Sequence, residues 1–410
     1  MKIVVFNLGC KVNQYECDVI AEKLAFEGHD VTQELSYAEA YVINTCAVTG
    51  EAERKSRQAI SRCLSFNPNA DIYIMGCASQ NASDSFRKNN VRYILGTNDK
   101  LSVVRYISER ANGQNITDFP KEYEEMFLTK PHRTRTFVKI QDGCNHFCTY
   151  CIIPFVRGRS RSRKTEDVEN EIRLLAPKTK EIVLTGIDVM AFGKDTGTGL
   201  VDLFDRIKDV DVRIRLSSVY AEKITPELLD KLFSLKKFCP HFHLSLQSGD
   251  NSVLKSMNRH YTTEEYLSKI DLIRSYDNNA GITTDVIVGF PTEGELEFEN
   301  TCAFVKEAAF SDLHIFPYSV RKGTVAEKMV QNPRGVINER KKRLAEIKRE
   351  LHTEFLTKNI GKEHEVLIEQ TAGDKFVGYS RNYIKVYTDK TGDVVTVVPQ
   401  KIYKDGLSEV

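Results

Sequence analysis

The sequence predicts an α/β protein in three parts: an N-terminal parallel-sheet domain, a central partial (β/α)6 barrel and a small C-terminal all-β module. Apolar runs alternate with amphipathic stretches up to about residue 118, the alternation starts again at residue 134, and short apolar runs separated by turns follow residue 361. Alternating strands and helices are typical of parallel sheets covered by helices, whereas successive short strands are typical of all-β modules.

The first predicted domain covers residues 1–118, and residues 119–133, which are charged and contain two prolines, predict a linker. Amphipathic stretches such as Cys17–Phe26 predict helices between the strands. The strand candidates of this domain are Lys2–Asn7, Ala40–Asn44, Asp71–Met75 and Val91–Leu95.

The second predicted domain covers residues 134–345 and contains six βα units, which indicate an incomplete barrel rather than an eight-fold one. Helical patterns such as Thr165–Leu175 fill the intervals between its strands. Its strand candidates are Thr134–Gln141, Glu181–Thr185, Val212–Ser217, Phe242–Gln247, Thr283–Gly289 and Leu313–Tyr318.

The last predicted part, residues 346–410, comprises the end of a linker helix and the all-β module. Asn338 is the candidate cap of that helix, which is expected to run from Glu339 to about Leu356. The strand candidates of the module are His364–Glu369, Lys375–Tyr379, Tyr383–Tyr387 and Val394–Pro399.

Composition narrows the functional classes. The 58 Lys and Arg residues nearly balance the 57 Asp and Glu residues, which excludes a basic coat over the whole chain. The sequence contains no run of 18 apolar residues and begins without a signal-peptide pattern, so we expect no membrane span and a cytoplasmic location. In a reducing compartment, ten cysteines indicate metal binding or chemistry more than disulfides.

Three of these cysteines form a compact group. Cys144, Cys148 and Cys151 have the spacing Cys-x3-Cys-x2-Cys directly after a predicted barrel strand. Three thiolates so spaced can bind three irons of a cubane [4Fe–4S] cluster and leave the fourth iron open for a chelating molecule. The alternative is a zinc knuckle that uses His146 as a fourth ligand.

A dispersed group comprises Cys10, Cys46 and Cys77, each of which directly follows a predicted strand. In a parallel sheet all three would emerge at the carboxyl edge, where ligands usually bind. They could hold a second cubane cluster, or be small buried residues at strand ends. For the other four cysteines we expect structural roles; they are Cys17, Cys63, Cys239 and Cys302.

The compact group, with aromatic Tyr150 before its last cysteine, resembles the radical S-adenosylmethionine (SAM) superfamily. The resemblance implies that the open iron chelates SAM and that one electron cleaves SAM to a 5′-deoxyadenosyl radical. It also implies SAM-binding positions near the strand ends; the alternative is that each residue only packs or closes a turn. These candidates are Tyr150, Gly186, Asp188, Ser217, Ser218, Gln247, Ile287 and Phe316.

A second resemblance covers nearly the whole chain. Gly9-Cys10, Asn44-Thr45-Cys46 and Met75-Gly76-Cys77 are similar to the three N-terminal motifs of the methylthiotransferase family, and Asn382-Tyr383 resembles part of its C-terminal RNA-binding TRAM domain. The resemblance implies two [4Fe–4S] clusters and two SAM molecules. One SAM methylates a sulfur held at the N-terminal cluster, and the other generates the radical that activates the substrate.

The family modifies three substrates: threonylcarbamoyladenosine or isopentenyladenosine beside the tRNA anticodon, and an aspartate of a small-subunit ribosomal protein. Residues 9–16, with the sequence GCKVNQYE, are most similar to the threonylcarbamoyladenosine type. The implied partners are the tRNA anticodon stem-loop and an electron donor such as flavodoxin or ferredoxin; the sulfur donor is not predicted.

Two features bear on RNA binding. Arg157, Arg159, Arg161 and Arg163 predict a phosphate-contacting strip, the alternative being a solvated turn. Residues 361–410 contain seven Lys or Arg and eight Asp or Glu, so RNA contacts there would need aromatic side chains such as Tyr379 and Tyr383. Two other functional classes are a non-catalytic RNA-binding Fe–S protein and a ferredoxin-like electron carrier. The carrier would need four ligands per cluster, whereas each cysteine group here has three.

Overall fold

In the computed structural model, which describes residues 1–409, the first part of the chain is a parallel sheet with helices on both faces. The strands and helices of this part are β1 (Lys2–Asn7), α1 (Lys11–Phe26), β2 (Asp30–Thr32), β3 (Ala40–Thr45), α2 (Gly50–Leu64), β4 (Asp71–Gly76), α3 (Cys77–Asn81), β5 (Val91–Leu95), α4 (Ser102–Ser108) and β6 (Gly113–Asn115). The sheet order is β2-β1-β3-β4-β5-β6, and every pairing is parallel.

The predicted parallel sheet is therefore confirmed, and it contains two further strands, β2 and β6, at its edges. Each of these is three residues long, too short to give a periodic apolar signal in the sequence. The helix α2 begins where the Thr49 hydroxyl accepts a hydrogen bond from the Ala52 amide, a typical N-cap.

The second part contains two parallel sheets with the orders β11-β10-β7 and β12-β13-β14-β15. Its elements are β7 (Arg135–Lys139), β8 (Gln141–Asp142), α5 (Ile153–Val156), β9 (Arg161–Ser162), α6 (Thr165–Leu175), β10 (Glu181–Thr185), α7 (Leu200–Ile207), β11 (Arg213–Leu216), β12 (Ser218–Val219), α8 (Pro226–Ser234), β13 (His241–Gln247), α9 (Asn251–Ser256), α10 (Thr263–Tyr276), β14 (Gly281–Val288), α11 (Glu295–Ala308), β15 (Asp312–Pro317) and α12 (Arg334–Thr357).

The two sheets are adjacent: the last strand of the first, β11, is separated from the first strand of the second, β12, by Ser217 alone. Side chains of β7, β10, β11, β13, β14 and β15 line one cavity, so both sheets surround a common interior. The six strand positions appear in the predicted order, and β14 and β15 pair in parallel over six residue pairs.

The helix α12 begins earlier than predicted. Pro333, rather than Asn338, occupies the N-cap position, and the helix runs from Arg334 to Thr357. Proline is accepted at a helix start because its ring fixes φ and no amide hydrogen is needed there. The helix packs against β15 and α11, and its Leu356 enters the core of the C-terminal module.

The third part is a mostly antiparallel sheet with the order β19-β16-β17-β18-β21-β20, in which β18 and β21 pair in parallel. Two of its strands, β20 and β21, were not predicted; both are three residues long. The elements of this part are β16 (His364–Ala372), β17 (Lys375–Ser380), β18 (Lys385–Thr388), β19 (Val394–Val397), β20 (Lys401–Tyr403) and β21 (Gly406–Ser408).

Aromatic residues of this sheet attach it to the central part. The Tyr383 ring stacks on His241 with the ring centroids 4.4 Å apart and on Tyr379 at 4.8 Å. The Arg135 guanidinium lies 5.1 Å from each tyrosine ring centroid, and that of Arg215 lies 4.9 Å from Tyr383. Both tyrosines are half-buried and line the cavity between the sheet and the barrel, and their contact with RNA stays a prediction.

We expect Tyr383→Ala to loosen this attachment by about 2 kcal/mol, because it removes two ring stacks and two cation–π contacts. Hydrogen exchange should become faster in β16, β17 and β18 and stay unchanged in β1 and β3. The control is Tyr403→Ala, since Tyr403 contacts Tyr387 within the module. Equal exchange rates in both variants would contradict the role of Tyr383 in attachment.

No helix among residues 1–409 is both long enough and apolar enough to cross a membrane.

Candidate functional site

The compact cysteine group lies on the loop between β8 and α5. Cys144 and Cys148 are buried and Cys151 is half-buried. Burial raises the pKa of Cys144 to about 11 and that of Cys151 to about 12, and the nearby Cys148 adds to both shifts. The three thiols therefore lie close together on one loop, and a metal bound there would hold them as thiolates.

A second segment, which follows α9, fixes this loop. The Asn258 side-chain amide donates to the carbonyl oxygens of His146 and Phe147, both at 3.1 Å, and the Thr149 amide donates to the Met257 carbonyl at 3.0 Å. The Arg259 guanidinium donates to Cys148 Sγ at 3.6 Å. Sequence reasoning missed this support, because residues more than 100 positions away carry no local signal for it.

His146 was the candidate fourth ligand of the zinc alternative. Its Nε2 lies 3.1 Å from Asp188 Oδ2, and its ring stacks on Tyr220 with a centroid distance of 4.0 Å. Ligand atoms of Cys144, His146 and Asp188 lie within 4.8 Å of one another. That set could bind one metal ion, but it leaves out Cys148 and Cys151, and a tetrahedral site would need a further ligand.

Two of the predicted SAM-binding residues have unsatisfied polar atoms. Asp188 Oδ1 and Ser217 Oγ are buried, and neither has a hydrogen-bond partner among the described residues. Buried polar atoms are normally paired, so this arrangement fits a polar ligand. Gly186 is required nearby, because a Cβ there would lie 2.9 Å from Gln141 Oε1, the atom that accepts from the Asp188 amide.

The other predicted SAM residues take varied positions. Tyr150 and Ile287 pack in one apolar cluster around Phe290. Gln247 has a φ of 75° and sits at an irregularity in the register of β13 with β14, which turns its backbone out of the regular strand. Ser218 and Phe316 are exposed. Their assignment to SAM stays a prediction.

The dispersed cysteines lie at the carboxyl edge of the first sheet, and their role as ligands of one cluster stays a prediction. Cys10, Cys46 and Cys77 follow the adjacent strands β1, β3 and β4. Burial raises the pKa of Cys46 to about 12, and the charges of Cys77 and Cys10 raise it further. The three thiols thus follow three neighbouring strands at one edge of the sheet.

Two asparagines organise this edge. Asn13 Nδ2 donates to Asn44 Oδ1 at 2.7 Å, and Cys10 Sγ lies 3.3 Å from Asn13 Oδ1. Gly76 leaves the room for this contact, because its φ is 109° and a Cβ there would lie 2.5 Å from Asn44 Oδ1. Only glycine adopts this conformation readily.

Arg157 corrects the prediction of an RNA-contacting strip. Its side chain is 0% exposed, and its Nε donates to Cys77 Sγ at 3.2 Å. The same guanidinium donates to Asn13 Oδ1 at 2.8 Å and to both Asp142 carboxylate oxygens at 3.0 Å. Arg157 therefore connects the N-terminal cysteines with the strand that leads to Cys144, and a fully buried guanidinium cannot contact RNA.

Two further arginines of the strip are also buried and paired. Arg161 lies 3.4 Å from Asp142, and Arg163 forms an ion pair with buried Glu171. Their guanidinium groups are therefore unavailable to phosphates. Arg159 alone is exposed, with its guanidinium 4.2 Å from the Phe147 ring centroid.

The buried charges around Arg157 are unbalanced. Four cations face two carboxylates, and all six side chains are at most 5% exposed. They are Lys100, Lys139, Arg157, Arg161, Glu16 and Asp142. Burial lowers the pKa of Lys100, and the ion pair with Glu16 offsets this only partly. Half-buried Glu124 adds a third carboxylate near Lys100 and Lys139, so one positive charge remains, which a thiolate at Cys77 beside Arg157 would balance.

A chamber of about 890 Å³ links the three parts of the chain. Cys10 and Lys11 line it from the first part, Arg215 and His243 from the barrel interior, and Tyr383 from the last sheet. Its volume lies within the range of roughly 300–1,000 Å³ typical of pockets that enclose small ligands. Sequence reasoning did not anticipate the chamber, because its lining comes from segments distant in the chain.

The remaining four cysteines, predicted to be structural, are buried and free; they are Cys17, Cys63, Cys239 and Cys302. Burial raises the pKa of Cys63 and of Cys239 to about 12. Neutral thiols of this kind behave as small apolar residues.

Two family models match the chain. The model described as the radical SAM superfamily matches residues 138–305. The model described as the uncharacterized protein family UPF0004 matches residues 2–96.

Curated relatives extend this similarity to nearly the full length. The chain is 38% identical to the threonylcarbamoyladenosine tRNA methylthiotransferase MtaB of Bacillus subtilis, over 99% of this chain and 95% of the relative. It is 36% identical to the protein of the same name from Thermotoga maritima, over 99% and 96%. A tRNA-2-methylthio-N(6)-dimethylallyladenosine synthase of Clostridium botulinum is 34% identical over 91% and 88%.

Among solved structures, the radical SAM methyltransferase TsrM from Kitasatospora setae is similar in fold. The TM-score is 0.55 at 13% identity, covering 77% of this chain and 74% of that one. The likeness concerns the fold alone.

Proposed function

The chain belongs to the methylthiotransferase family of radical SAM enzymes, and from this membership we propose that it inserts a methylthio group at C2 of N6-threonylcarbamoyladenosine, at position 37 of tRNA. The observation that carries the proposal is the presence of two three-thiol groups joined through Arg157. A radical SAM enzyme without sulfur insertion needs only the compact group, so the second group matches the additional sulfur chemistry. The relatives named for this substrate match nearly the entire chain.

The cofactors of this enzyme are two [4Fe–4S] clusters and SAM. We assign one cluster to Cys144, Cys148 and Cys151 and the other to Cys10, Cys46 and Cys77. When bound, these groups supply an electron for SAM cleavage, a substrate-activating radical and the sulfur that is transferred.

The side chains around the two sites prepare them for this chemistry. Asp188 and Ser217 offer unpaired polar atoms to SAM, and Arg259 keeps positive charge beside Cys148. Arg157 places positive charge beside Cys77. Four of the six thiols are buried, Cys151 is half-buried and Cys10 is exposed. No general base is required, because the substrate hydrogen leaves as an atom.

The tRNA anticodon stem-loop is the proposed macromolecular partner, which places the reaction in the cytoplasm. We assign residues 1–118 to the methylthiotransferase domain, 134–345 to the radical SAM domain and the last sheet to a TRAM-type module that binds RNA. Tyr379 and Tyr383 of this module contact the barrel and line the chamber. A one-electron donor such as flavodoxin or ferredoxin completes the set of partners.

A second candidate substrate is dimethylallyladenosine in tRNA, because relatives of that activity are 34% identical to this chain. The chamber favours the first candidate. Its lining includes the polar side chains of Lys11, Arg215 and His243. A dimethylallyl group is apolar and would bind better in an apolar pocket.

The test is methylthiolation by the full chain, reconstituted anaerobically with iron and sulfide. The substrates are two anticodon stem-loops that differ only at position 37, one with threonylcarbamoyladenosine and one with dimethylallyladenosine. We expect about eight irons per chain, and methylthio product from the first RNA at a rate at least about 100-fold higher. A higher rate on the second RNA would reverse the substrate assignment, and iron without SAM cleavage would indicate a non-catalytic Fe–S protein.

A further inference from the structure

Two cations of the chamber, Lys11 and Arg133, have no carboxylate partner among the described residues. Its lining includes six cationic side chains and three carboxylates. The cations are Lys11, Arg133, Arg135, Arg215, Lys348 and Lys385. Four histidines, His241, His243, His314 and His352, also line the chamber. The lining therefore favours an anionic ligand.

Most of these cations already have acidic partners. Arg135 pairs with Glu369 at 2.5 Å, and Arg215 pairs with Glu181 at 2.6 Å. Likewise, Lys348 pairs with Asp312 at 3.1 Å and Lys385 pairs with Asp405 at 2.9 Å. These four cations are therefore held in place and their charges are balanced locally.

Of the other two, Arg133 donates to the Gln33 side chain at an exposed position. The Lys11 side chain is exposed and forms no hydrogen bond or ion pair with another of residues 1–409. It follows Cys10 in the chain and lines the chamber together with Arg135 and Arg215. A lysine in such a position is free to bind an anion that enters the chamber.

The proposed substrate carries such an anion. A threonylcarbamoyl group ends in the α-carboxylate of threonine, whereas a dimethylallyl group is neutral. The group is attached at N6, on the same Watson–Crick edge of adenine as C2, the atom that receives sulfur. When C2 faces the cysteine site at the carboxyl edge of the first sheet, the carboxylate must therefore lie close to that site and to residue 11.

We propose that Lys11 binds the carboxylate of the threonylcarbamoyl group and thereby selects this substrate over neutral N6-modified adenosines. The inference rests on the proposed function and extends it to the residue that determines specificity. Arg135 and Arg215 are held by their carboxylate partners, which leaves Lys11 to pair with the anion. Lys11 acts in binding and takes no part in the bond changes.

The test uses the full reconstituted chain and two anticodon stem-loops with threonylcarbamoyladenosine, one with the free carboxylate and one with its neutral methyl ester. We expect Lys11→Met to lower kcat/KM for the carboxylate RNA by about 10- to 100-fold, mainly through KM, because a charge-assisted hydrogen bond is lost. The ester RNA should react equally with both proteins. Lys11→Arg should restore most of the activity.

The matched control is Lys23→Met, on the exposed face of the same helix, which should leave both rates unchanged. Both RNAs are assayed with the same preparation, so a change in iron content alters the two rates together and cannot produce a selective loss. An equal loss with both RNAs would show that Lys11 contacts a backbone phosphate or supports the cluster, and would overturn the proposal. Equal rates for wild type and Lys11→Met would overturn it as well.

The affinity of each RNA for the reconstituted chain, measured by fluorescence anisotropy, separates this inference from the proposed function. If wild type binds the carboxylate RNA more tightly than the ester and Lys11→Met removes that preference, the inference stands even where no methylthio product forms. Product formation without any such preference supports the function and contradicts the role of Lys11.

Discussion

Replacing Cys77 with serine is expected to abolish methylthiolation while SAM cleavage continues. Cys77 belongs to the N-terminal group, and its thiol accepts the Arg157 hydrogen bond. Serine is a poor iron ligand at neutral pH, so the site should lose its cluster and the iron content should fall from about eight to about four per chain. The measurements are iron content, 5′-deoxyadenosine formation and methylthio product.

The complementary variant is Cys148→Ser in the compact group. It should also halve the iron content, but SAM cleavage should stop together with product formation. Cys302→Ser is the control, because Cys302 is buried in the barrel core, apart from both groups, and should leave all three readouts unchanged. If Cys77→Ser stopped SAM cleavage and Cys148→Ser did not, the assignment of the two groups would be reversed.

The second large effect is expected from Arg157→Met. The variant removes the contact with Cys77 and the contact of one guanidinium nitrogen with both Asp142 oxygens, so the N-terminal cluster should bind weakly and the two parts of the chain should separate more easily. We expect a loss of about 2–3 kcal/mol in the free energy of unfolding, less than for a carboxylate left alone, because Lys139 still lies 2.7 Å from Asp142.

Denaturant unfolding under anaerobic conditions and iron content measure this effect. The control is Arg159→Met, two residues away and exposed, which should change neither quantity. Arg159 is also the one member of the four-arginine run that can reach RNA, so its variant should weaken stem-loop binding modestly. Full stability and iron content in Arg157→Met, together with lost RNA affinity, would restore the interpretation of the run as an RNA-binding strip.

The predictable features were those with a local signal. β1 and β5 match their predicted bounds, because each is a short apolar run that ends at polar or glycine residues. The meeting of Cys10, Cys46 and Cys77 at one sheet edge follows from parallel topology, since each directly follows a strand. Spacing alone likewise placed the compact group on one loop.

What could not be predicted depends on contacts between distant segments. A run of arginines looks the same in a sequence whether it faces solvent or carboxylates. Arg157 is buried because Glu16, from α1, and Asp142 lie beside it, and neither is close in the chain. The chamber escaped prediction for the same reason. Short edge strands such as β2 depend on pairing with β1 rather than on their own pattern.

The helix α12 connects two hydrophobic cores. Leu344 and Leu351 belong to the barrel core, whereas Leu356 belongs to the core of the last sheet. A continuous helix of 24 residues is a stiff rod about 36 Å long. The helix therefore holds the last sheet at a fixed distance from the chamber. If that sheet binds the RNA loop, this distance determines which nucleotide of the loop reaches the chamber, so the enzyme would select a nucleotide by its position as well as by its base.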